Sequence, residues 1–387
     1  MNKCFDDSTH LEIYNKEILR YASIIFYLEA SNSFYQNYNW TRAQESYAKA
    51  LEISNISFEL CGVYGKRTKY QTKDLAQLFL KVNDTHPNTE HLGIDNNFDQ
   101  WPRFNQKTNR TAMPKDLVLN DDTLLDKIKI SNPEDEELLQ KTGKHISQIE
   151  HMVLFGTLFD YQKNSPHTEL TREELLPFID HILQNSTNWC VQICSMFMRT
   201  KLESTSNRRV ERSVMQLETL LENFYNKFEE KATIEQRFQY FYTISLPPIW
   251  RLSKEMAIFY KKLGLINSAL EIYLRLQMWT EVIECYQVLD KKDQAETLIR
   301  ERLAIKETAE LYCSLGEVTN EIEHFEKAIE FSKGKSAKGY RMLAKHQFAR
   351  QQYEESIINF EKSLSINPMQ VRVHNNLVFF LNSYFLL

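Results

Sequence analysis

The sequence predicts an all-α fold: an irregular helical amino-terminal region followed by an array of helix pairs that stops in mid-repeat. The first observation is composition, because the 387 residues include only 9 Gly and 9 Pro, where roughly 7% and 5% are usual. This scarcity argues against sandwiches, barrels and glycine-looped nucleotide folds, which need glycine at their turns. The others are helical spacing of apolar residues over long stretches and a recurring aromatic and small-residue pattern near the carboxyl terminus.

The overall charge and the cysteines narrow the class further. A formal charge of −5 gives no general attraction to nucleic acid or anionic membrane. No apolar run approaches the roughly 20 residues that a membrane helix needs, and the first residues lack a signal core. We therefore predict a cytoplasmic protein, with the nucleus as a second compartment. The six scattered cysteines are interpreted as small buried hydrophobic residues.

Residues 1–82 are interpreted as amino-terminal helices that include half of a helix-pair repeat. Ala43, Tyr47 and Ala50 have the spacing of the second helix of such a pair, and Tyr38 and Trp40 precede them. Residues 83–145 differ, because they are polar and contain four of the nine prolines. We expect a long loop or linker there, with short ordered pieces around two apolar residues, Trp101 and Leu117.

Residues 146–245 are predicted to be helical again. Thr171 and Glu174 have the spacing of a capping box, which predicts a helix from Thr171 toward Leu183. Leu246-Pro247-Pro248 then interrupts the chain, because proline disfavours helix at the residue before it. The array is expected to occupy residues 246–387.

The clearest repeat unit covers residues 337–370. It has aromatic, Leu-small, aromatic and proline positions at the spacing of a tetratricopeptide repeat, namely Tyr340, Leu343, Ala344, Tyr353, Phe360 and Pro368. Small residues let two antiparallel helices approach closely, and proline ends the second helix. The one departure is Gln347, which stands where the pattern has tyrosine.

Weaker units precede it at about 250–275, 276–308 and 309–336, and a partial unit follows at 371–387. Their signature residues are Trp279, Tyr286, Ala295, Leu315, Gly316 and Ala328. The spacings between equivalent small residues are irregular, which indicates degenerate repeats. The alternative interpretation is a helical bundle without repeats, in which these matches arise by chance.

No motif in the sequence indicates catalysis or a cofactor. Phosphate-binding glycine loops, the Gly-x-Ser-x-Gly elbow and the His-Glu-x-x-His zinc motif are all missing from the sequence. His86 and His91, and His145 and His151, lack the helical spacing for a shared metal, and no Cys-x-x-Cys pair exists. We expect a protein that is not an enzyme and holds neither cofactor nor metal; a cryptic enzyme is the least favoured alternative.

A basic stripe in the last complete repeat is the candidate binding site. Lys338, Arg341 and Lys345 follow i, i+3, i+7 spacing and therefore share one helical face. They occupy repeat positions two, five and nine, which face the concave groove of tetratricopeptide arrays. Such a stripe could pair with the carboxylates of an acidic tail or of a peptide terminus. The alternative interpretation is an ordinary solvated charged face.

A related hypothesis is the carboxylate clamp of tetratricopeptide co-chaperones. Arg341 and Asn376 match clamp positions in kind, but Lys345 replaces the clamp asparagine. A third repeat that the clamp needs is not in this chain, so these departures argue against a standard clamp.

A second basic cluster consists of Arg199, Lys201, Arg208, Arg209 and Arg212, interleaved with Glu203 and Glu211. The mixed signs favour ion pairs on a helix surface over a nucleic-acid site. An RNA-associated helical scaffold stays open as the rival function.

Several longer segments resemble one family. They are GVYGKRTKYQ (62–71), PKDLVLNDDTLL (114–125), NWCVQICSMFMRTKLE (188–203), GLINSALEIYLRLQMWTEVIECY (264–286) and INPMQ (366–370). Together they are similar to the tetratricopeptide repeat protein 27 family, over roughly residues 30 to 375. The resemblance implies a non-enzymatic helical-repeat protein of cytoplasm and nucleus. It also implies a part in chaperone-assisted assembly of large complexes, including a spliceosomal particle, and in a fungal member cell-wall maintenance.

The family has a longer amino-terminal region and further repeats after this chain ends, so we expect a truncated gene model or an alternative transcript. The function we predict is that of a protein-binding scaffold, an adaptor or co-chaperone-like factor. Its expected partners are other proteins, with chaperone machinery or acidic peptide segments as candidates, and neither membrane nor nucleic acid.

Overall fold

The computed structural model separates into two compact units, Met1–Phe259 (unit 1) and Tyr260–Leu387 (unit 2). The residues that it describes are 3–83, 113–117, 123–141, 146–166, 168–186, 188–204, 206, 209–225, 232–371, 373–375 and 377. No helix in this described part is long and apolar enough to span a membrane.

Helices dominate both units. The helices of unit 1 are α1 (Lys3–Gln36), α2 (Trp40–Ser54), α3 (Pro133–Lys141), α4 (Gln148–Asn164), α5 (Glu169–Asn185), α6 (Trp189–Glu203), α7 (Val210–Phe224), α8 (Ile234–Phe238) and α9 (Phe241–Ile244), and α10 (Ile249–Lys262) follows them. Those of unit 2 are α11 (Ile266–Arg275), α12 (Trp279–Val288), α13 (Lys292–Ile305), α14 (Ala309–Thr319), α15 (Ile322–Phe331), α16 (Ala337–Ala349) and α17 (Tyr353–Ile366). The strands are β1 (Ser57–Thr68), β2 (Leu75–Asn83) and β3 (Leu124–Ile130).

The first helix pair, α1 and α2, has the interior of a tetratricopeptide repeat. Ala43, Tyr47 and Ala50 are all buried, as the spacing predicted. The Ser31 hydroxyl donates to the Ala43 carbonyl oxygen at 2.9 Å. In the last pair, the Ser356 hydroxyl donates to the carbonyl oxygen of Ala344 at 2.8 Å. Both hydrogen bonds join repeat positions eight and twenty. The serine is at position eight in α1/α2 and at position twenty in α16/α17.

A three-stranded antiparallel sheet in the order β2-β1-β3 corrects the helical interpretation of residues 57–82. The long β1–β2 pairing runs from Ser57 opposite Asn83 to Gly65 opposite Leu75. Phe58 packs edge-on against Phe178 of α5, with ring centroids 5.6 Å apart. The general scarcity of glycine concealed this sheet, which needs a glycine at one close approach between strands. A Cβ at Gly65 would lie 2.8 Å from the Lys129 carbonyl oxygen of β3.

The predicted linker also contains regular structure, since β3 and α3 both lie within residues 83–145. The ordered piece expected near Leu117 is confirmed: its N–H donates to Gln216 Oε1 at 2.8 Å. Trp101 lies outside the described residues. The predicted helix start at Thr171 is wrong, because α5 begins at Glu169 and Thr168 is its N-cap. Thr168 accepts from the N–H of Thr171, which is itself buried inside the helix.

Unit 2 contains helix pairs α12/α13, α14/α15 and α16/α17, and neighbouring helices pack along the chain. The small and apolar signature residues are buried: Ala295, Leu315, Gly316, Ala328, Leu343, Ala344 and Phe360. Trp279, Tyr286 and Tyr353 are half-buried beside them, and exposed Pro368 follows the end of α17. Helices α14 and α15 approach closely at Gly316, where a Cβ would lie 2.6 Å from the Phe325 ring. These pairs confirm the predicted tetratricopeptide solenoid.

One turn recurs between the two helices of a pair. Tyr38, Gly264, Asp290 and Gln351 all have positive φ, from 55° to 79°, and all stand at repeat position fifteen. At Gln351, the N–H bonds to the Phe348 carbonyl oxygen at 2.9 Å, and the next N–H bonds to that of Gln347 at 3.0 Å. This pair of hydrogen bonds is the Schellman motif. Only one of the four residues is glycine, so scarcity of glycine did not mean scarcity of tight turns.

Candidate functional site

The basic stripe lies on α16, whose local sequence explains its start and its buried face. The Ser336 side chain caps the helix by accepting from the N–H of Gly339 at 3.0 Å. Leu343 and Ala344 then point into the core with the Gly339 backbone. The i, i+3, i+7 face is consequently left for Lys338, Arg341 and Lys345, of which Lys345 is exposed and the other two are half-buried.

The three cations are not equivalent. The Arg341 guanidinium donates from Nη1 to Gln370 Oε1 at 2.8 Å, which ties α16 to the segment after Pro368. Part of its donor capacity is therefore used inside the repeat. Lys338 and Lys345 form no ion pair within 4 Å among the residues that the structure describes. Asn376, the fourth predicted site residue, lies outside those residues.

The preceding first helix, α14, carries a stripe of the opposite sign. Glu310, Cys313 and Glu317 stand 28 positions before Lys338, Arg341 and Lys345, and α14 packs directly against α16. We call the five charged residues Glu310, Glu317, Lys338, Arg341 and Lys345 the first-helix face. The sequence interpretation missed its acidic half, although comparing the same repeat positions in the preceding unit would have found it.

Cys313 lies between the two signs of charge. Its side chain is fully buried, and burial raises the pKa of its thiol. Lys338 opposes that effect, while Glu317 and Glu310 add to it. Because α14 packs against α16, the two charged stripes lie on neighbouring helices.

Gln347, the departure from the repeat pattern, has a structural explanation. It is buried, and its Oε1 accepts from Asn359 Nδ2 at 2.8 Å. Its own amide donates to Glu355 Oε2 at 3.1 Å. A polar ladder between α16 and α17 thus replaces the expected tyrosine and leaves these groups hydrogen-bonded.

The second basic cluster forms ion pairs, as predicted, although they are less exposed than surface pairs. Arg199 makes a bidentate pair with Asp116, and Lys201 pairs with Glu255 at 2.6 Å. Arg212 and Arg209 both contact Glu203, which is only 3% exposed. These paired cations offer little free charge to a phosphate backbone. Arg208 lies outside the described residues.

The interior of unit 1 also contains a histidine pair that the sequence did not predict. The rings of His151 and His181 stack with centroids 6.4 Å apart. Burial lowers the pKa of each imidazole to about 4. Within the described ranges, no group of three or more His, Cys, Asp or Glu side chains is placed to hold a metal ion.

The recurring turn, the small-residue contacts between helices and the successive helix pairs define the chain as a tetratricopeptide-repeat protein. No protein-family model matches it. The tetratricopeptide repeat protein 27 homolog of Dictyostelium discoideum is 31% identical over 328 residues, 85% of this chain and 37% of that protein. A TPR repeat-containing protein of Schizosaccharomyces pombe is 28% identical, over 85% of this chain and 44% of that protein.

The tetratricopeptide repeat-containing protein trd-1 of Caenorhabditis elegans is 29% identical, over 89% of this chain and 42% of that protein. Over most of its length the chain is therefore similar to the tetratricopeptide repeat protein 27 homolog and to other tetratricopeptide-repeat proteins. The chain spans about two fifths of the length of these relatives.

Proposed function

We propose that the protein is a non-enzymatic scaffold that binds other proteins through the first-helix face of unit 2. It acts as an adaptor or co-chaperone-like factor in the assembly of large complexes, in the cytoplasm and also in the nucleus. Its ligands include segments that place carboxylates over Lys338 and Lys345.

The observation that carries this proposal is that Lys338 and Lys345 of α16 have no ion-pair partner among the residues that the structure describes. Unsatisfied cations at the surface attract carboxylates, and several such contacts along a rigid face give specificity. Helix pairs stacked in a solenoid hold their surface positions rigidly, which lowers the cost of ordering a bound segment. The role in complex assembly is the one that the family resemblance implies.

The test is affinity capture from a cell extract with the full chain, followed by quantitative mass spectrometry. We expect Lys338→Glu combined with Lys345→Glu to lose a defined set of captured proteins that the unchanged chain retains. Arg341 stays unchanged because it also bonds to Gln370. Lys306→Glu with Lys327→Glu is the matched control, since both residues are exposed and lie off the first helices.

Recovery of the same proteins at the same levels with all three chains would refute binding at this face. Circular dichroism of each variant checks that the helices are intact, so that a lost partner reports on the surface and not on unfolding.

A further inference from the structure

We infer that the first-helix face selects a segment of mixed charge, with carboxylates over α16 and cationic side chains over α14, and disfavours a uniformly acidic segment. Glu310 and Glu317 are the residues that determine this specificity. The inference rests on the proposed function, because it concerns what the same surface accepts.

The charged positions of α14 and α16 are in register. Each acidic residue on α14 and its basic counterpart on α16 are 28 residues apart: Glu310 with Lys338, and Glu317 with Lys345. The repeat therefore places carboxylates at positions two and nine of one first helix and ammonium groups at the same positions of the next. A segment that crosses both helices meets opposite charges in succession.

All four charged side chains are accessible to solvent. Glu310 and Lys345 are exposed, and Glu317 and Lys338 are half-buried. Within the described part of the chain, none of these four side chains is joined to another by an ion pair within 4 Å. Both signs of charge are thus present at one surface without neutralising each other in contact pairs.

The spacing of the two helices sets the spacing of the charges in the bound segment. Packed helices lie roughly 8–10 Å apart, and an extended chain advances about 3.3–3.6 Å per residue. A bound segment that crosses from α16 to α14 therefore needs a positive side chain about three residues after its negative side chain. A uniformly acidic segment would place like charges over Glu310 and Glu317. Repulsion between like charges weakens the binding of such a segment and so gives specificity.

The experiment measures fluorescence anisotropy of labelled peptides with the full chain at low salt. The block peptide contains three Asp, two Ser and three Lys in that order, and a second peptide has the reverse order. The acidic peptide replaces the three Lys with three Asp. We expect the better of the two block peptides to bind about tenfold more tightly than the acidic peptide, since each exposed charge contact contributes a severalfold factor.

Glu310→Lys combined with Glu317→Lys should reverse this preference, so that the acidic peptide binds better. Glu326→Lys combined with Glu361→Lys makes the same change of charge at exposed positions on the second helices α15 and α17. This control should leave the ratio of the two affinities unchanged.

The outcomes separate the two proposals. If the acidic peptide binds the unchanged chain as well as the block peptides, and Lys338→Glu with Lys345→Glu weakens it, the α16 surface is supported and the selection by α14 is refuted. If every peptide binds the lysine variant as well as the unchanged chain, or none binds at all, the binding surface itself is refuted.

Discussion

The two units bury polar groups in different ways. Unit 1 buries ionisable side chains: Glu203 is 3% exposed and Glu150 is fully buried. In the described part of unit 2, by contrast, no Asp, Glu, Lys or Arg side chain is fully buried. Its helices instead approach one another at small residues such as Gly316 and Ala344. Unit 1 should therefore be sensitive to charge and pH, and unit 2 to added volume.

The largest expected effect concerns Glu203. Its carboxylate accepts from Arg212 Nε at 3.1 Å and lies 3.7 Å from Arg209 Nη1. Glu203→Gln keeps the shape but leaves two largely buried cations without their anion, so we expect unit 1 to lose about 3 kcal/mol. Urea unfolding measures this loss. Glu296→Gln, which removes an exposed pair with Arg300, should cost at most about 0.5 kcal/mol. Equal losses in the two variants would contradict the contrast between the units.

Acidification should also act on unit 1, through His151. The folded-state pKa of His151 is about 4, whereas an unfolded histidine has a pKa of about 6.5. Because the unfolded chain binds the proton first, stability should fall as the pH drops from about 6.5 to about 4 and should not fall further from this residue below that range. The full loss is on the order of 3 kcal/mol.

Urea unfolding across this pH range tests the histidine prediction. His151→Gln should flatten the decline, whereas His374→Gln, at an exposed position of unit 2, should not. An unchanged slope in His151→Gln would show that other groups cause the acid sensitivity.

Added volume should act on unit 2. Gly316→Ala places a methyl group 2.6 Å from the buried Phe325 ring, so the ring or helix α14 must shift. We expect a net loss of about 1–2 kcal/mol, even though alanine favours helix by about 1 kcal/mol. In a Phe325→Leu background the same change should cost less, because the clashing ring edge is gone. A thermal-melt double-mutant cycle measures the difference, and additive losses would show that the ring is not the obstacle.

The smallest expected effects come from the recurring turn. Gln351→Gly should stabilise unit 2 by about 0.5 kcal/mol, because glycine adopts its left-handed conformation (φ +65°) without strain. Gly264→Ala, at the same repeat position (φ +79°), should destabilise unit 2 by a similar amount, on the order of 0.5 kcal/mol. The added Cβ would meet open space, so the loss would come from the backbone conformation. Chemical unfolding compares the two variants, and shifts of the same sign would argue against a shared turn geometry.

The helical repeats were predictable because their signal is local. The aromatic, small and proline positions of residues 337–370 define a helix pair by spacing alone. The interpretation of Lys338, Arg341 and Lys345 as one helical face followed from the same periodicity, and so did the half-repeat at Ala43, Tyr47 and Ala50. The pairing of Arg209 and Arg212 with Glu203 followed from the alternating signs of charge, whereas Asp116 and Glu255, which pair with Arg199 and Lys201, are distant in sequence.

The sheet was not predictable in the same way. Strand β1 pairs with β3 through contacts such as Gly65 with Ile130, which are far apart in sequence, so no local period indicates their partnership. A glycine count over the whole chain does not show where each glycine lies, and the sheet needs only Gly65 at a close approach. Gln351 and Asp290 adopt the left-handed turn without glycine, so the count does not limit the number of turns either.

The sequence by itself determined that this protein is built mainly of paired helices and which cations share a face of α16. These properties depend on residues within one or two helical turns of one another. Only the tertiary structure decided that Glu310 and Glu317 lie beside that face, that Arg341 is tied to Gln370, and that Glu203 and His151 are buried. Those properties depend on which helices pack together, because burial and charge contacts are determined by residues that are close in space but distant in sequence.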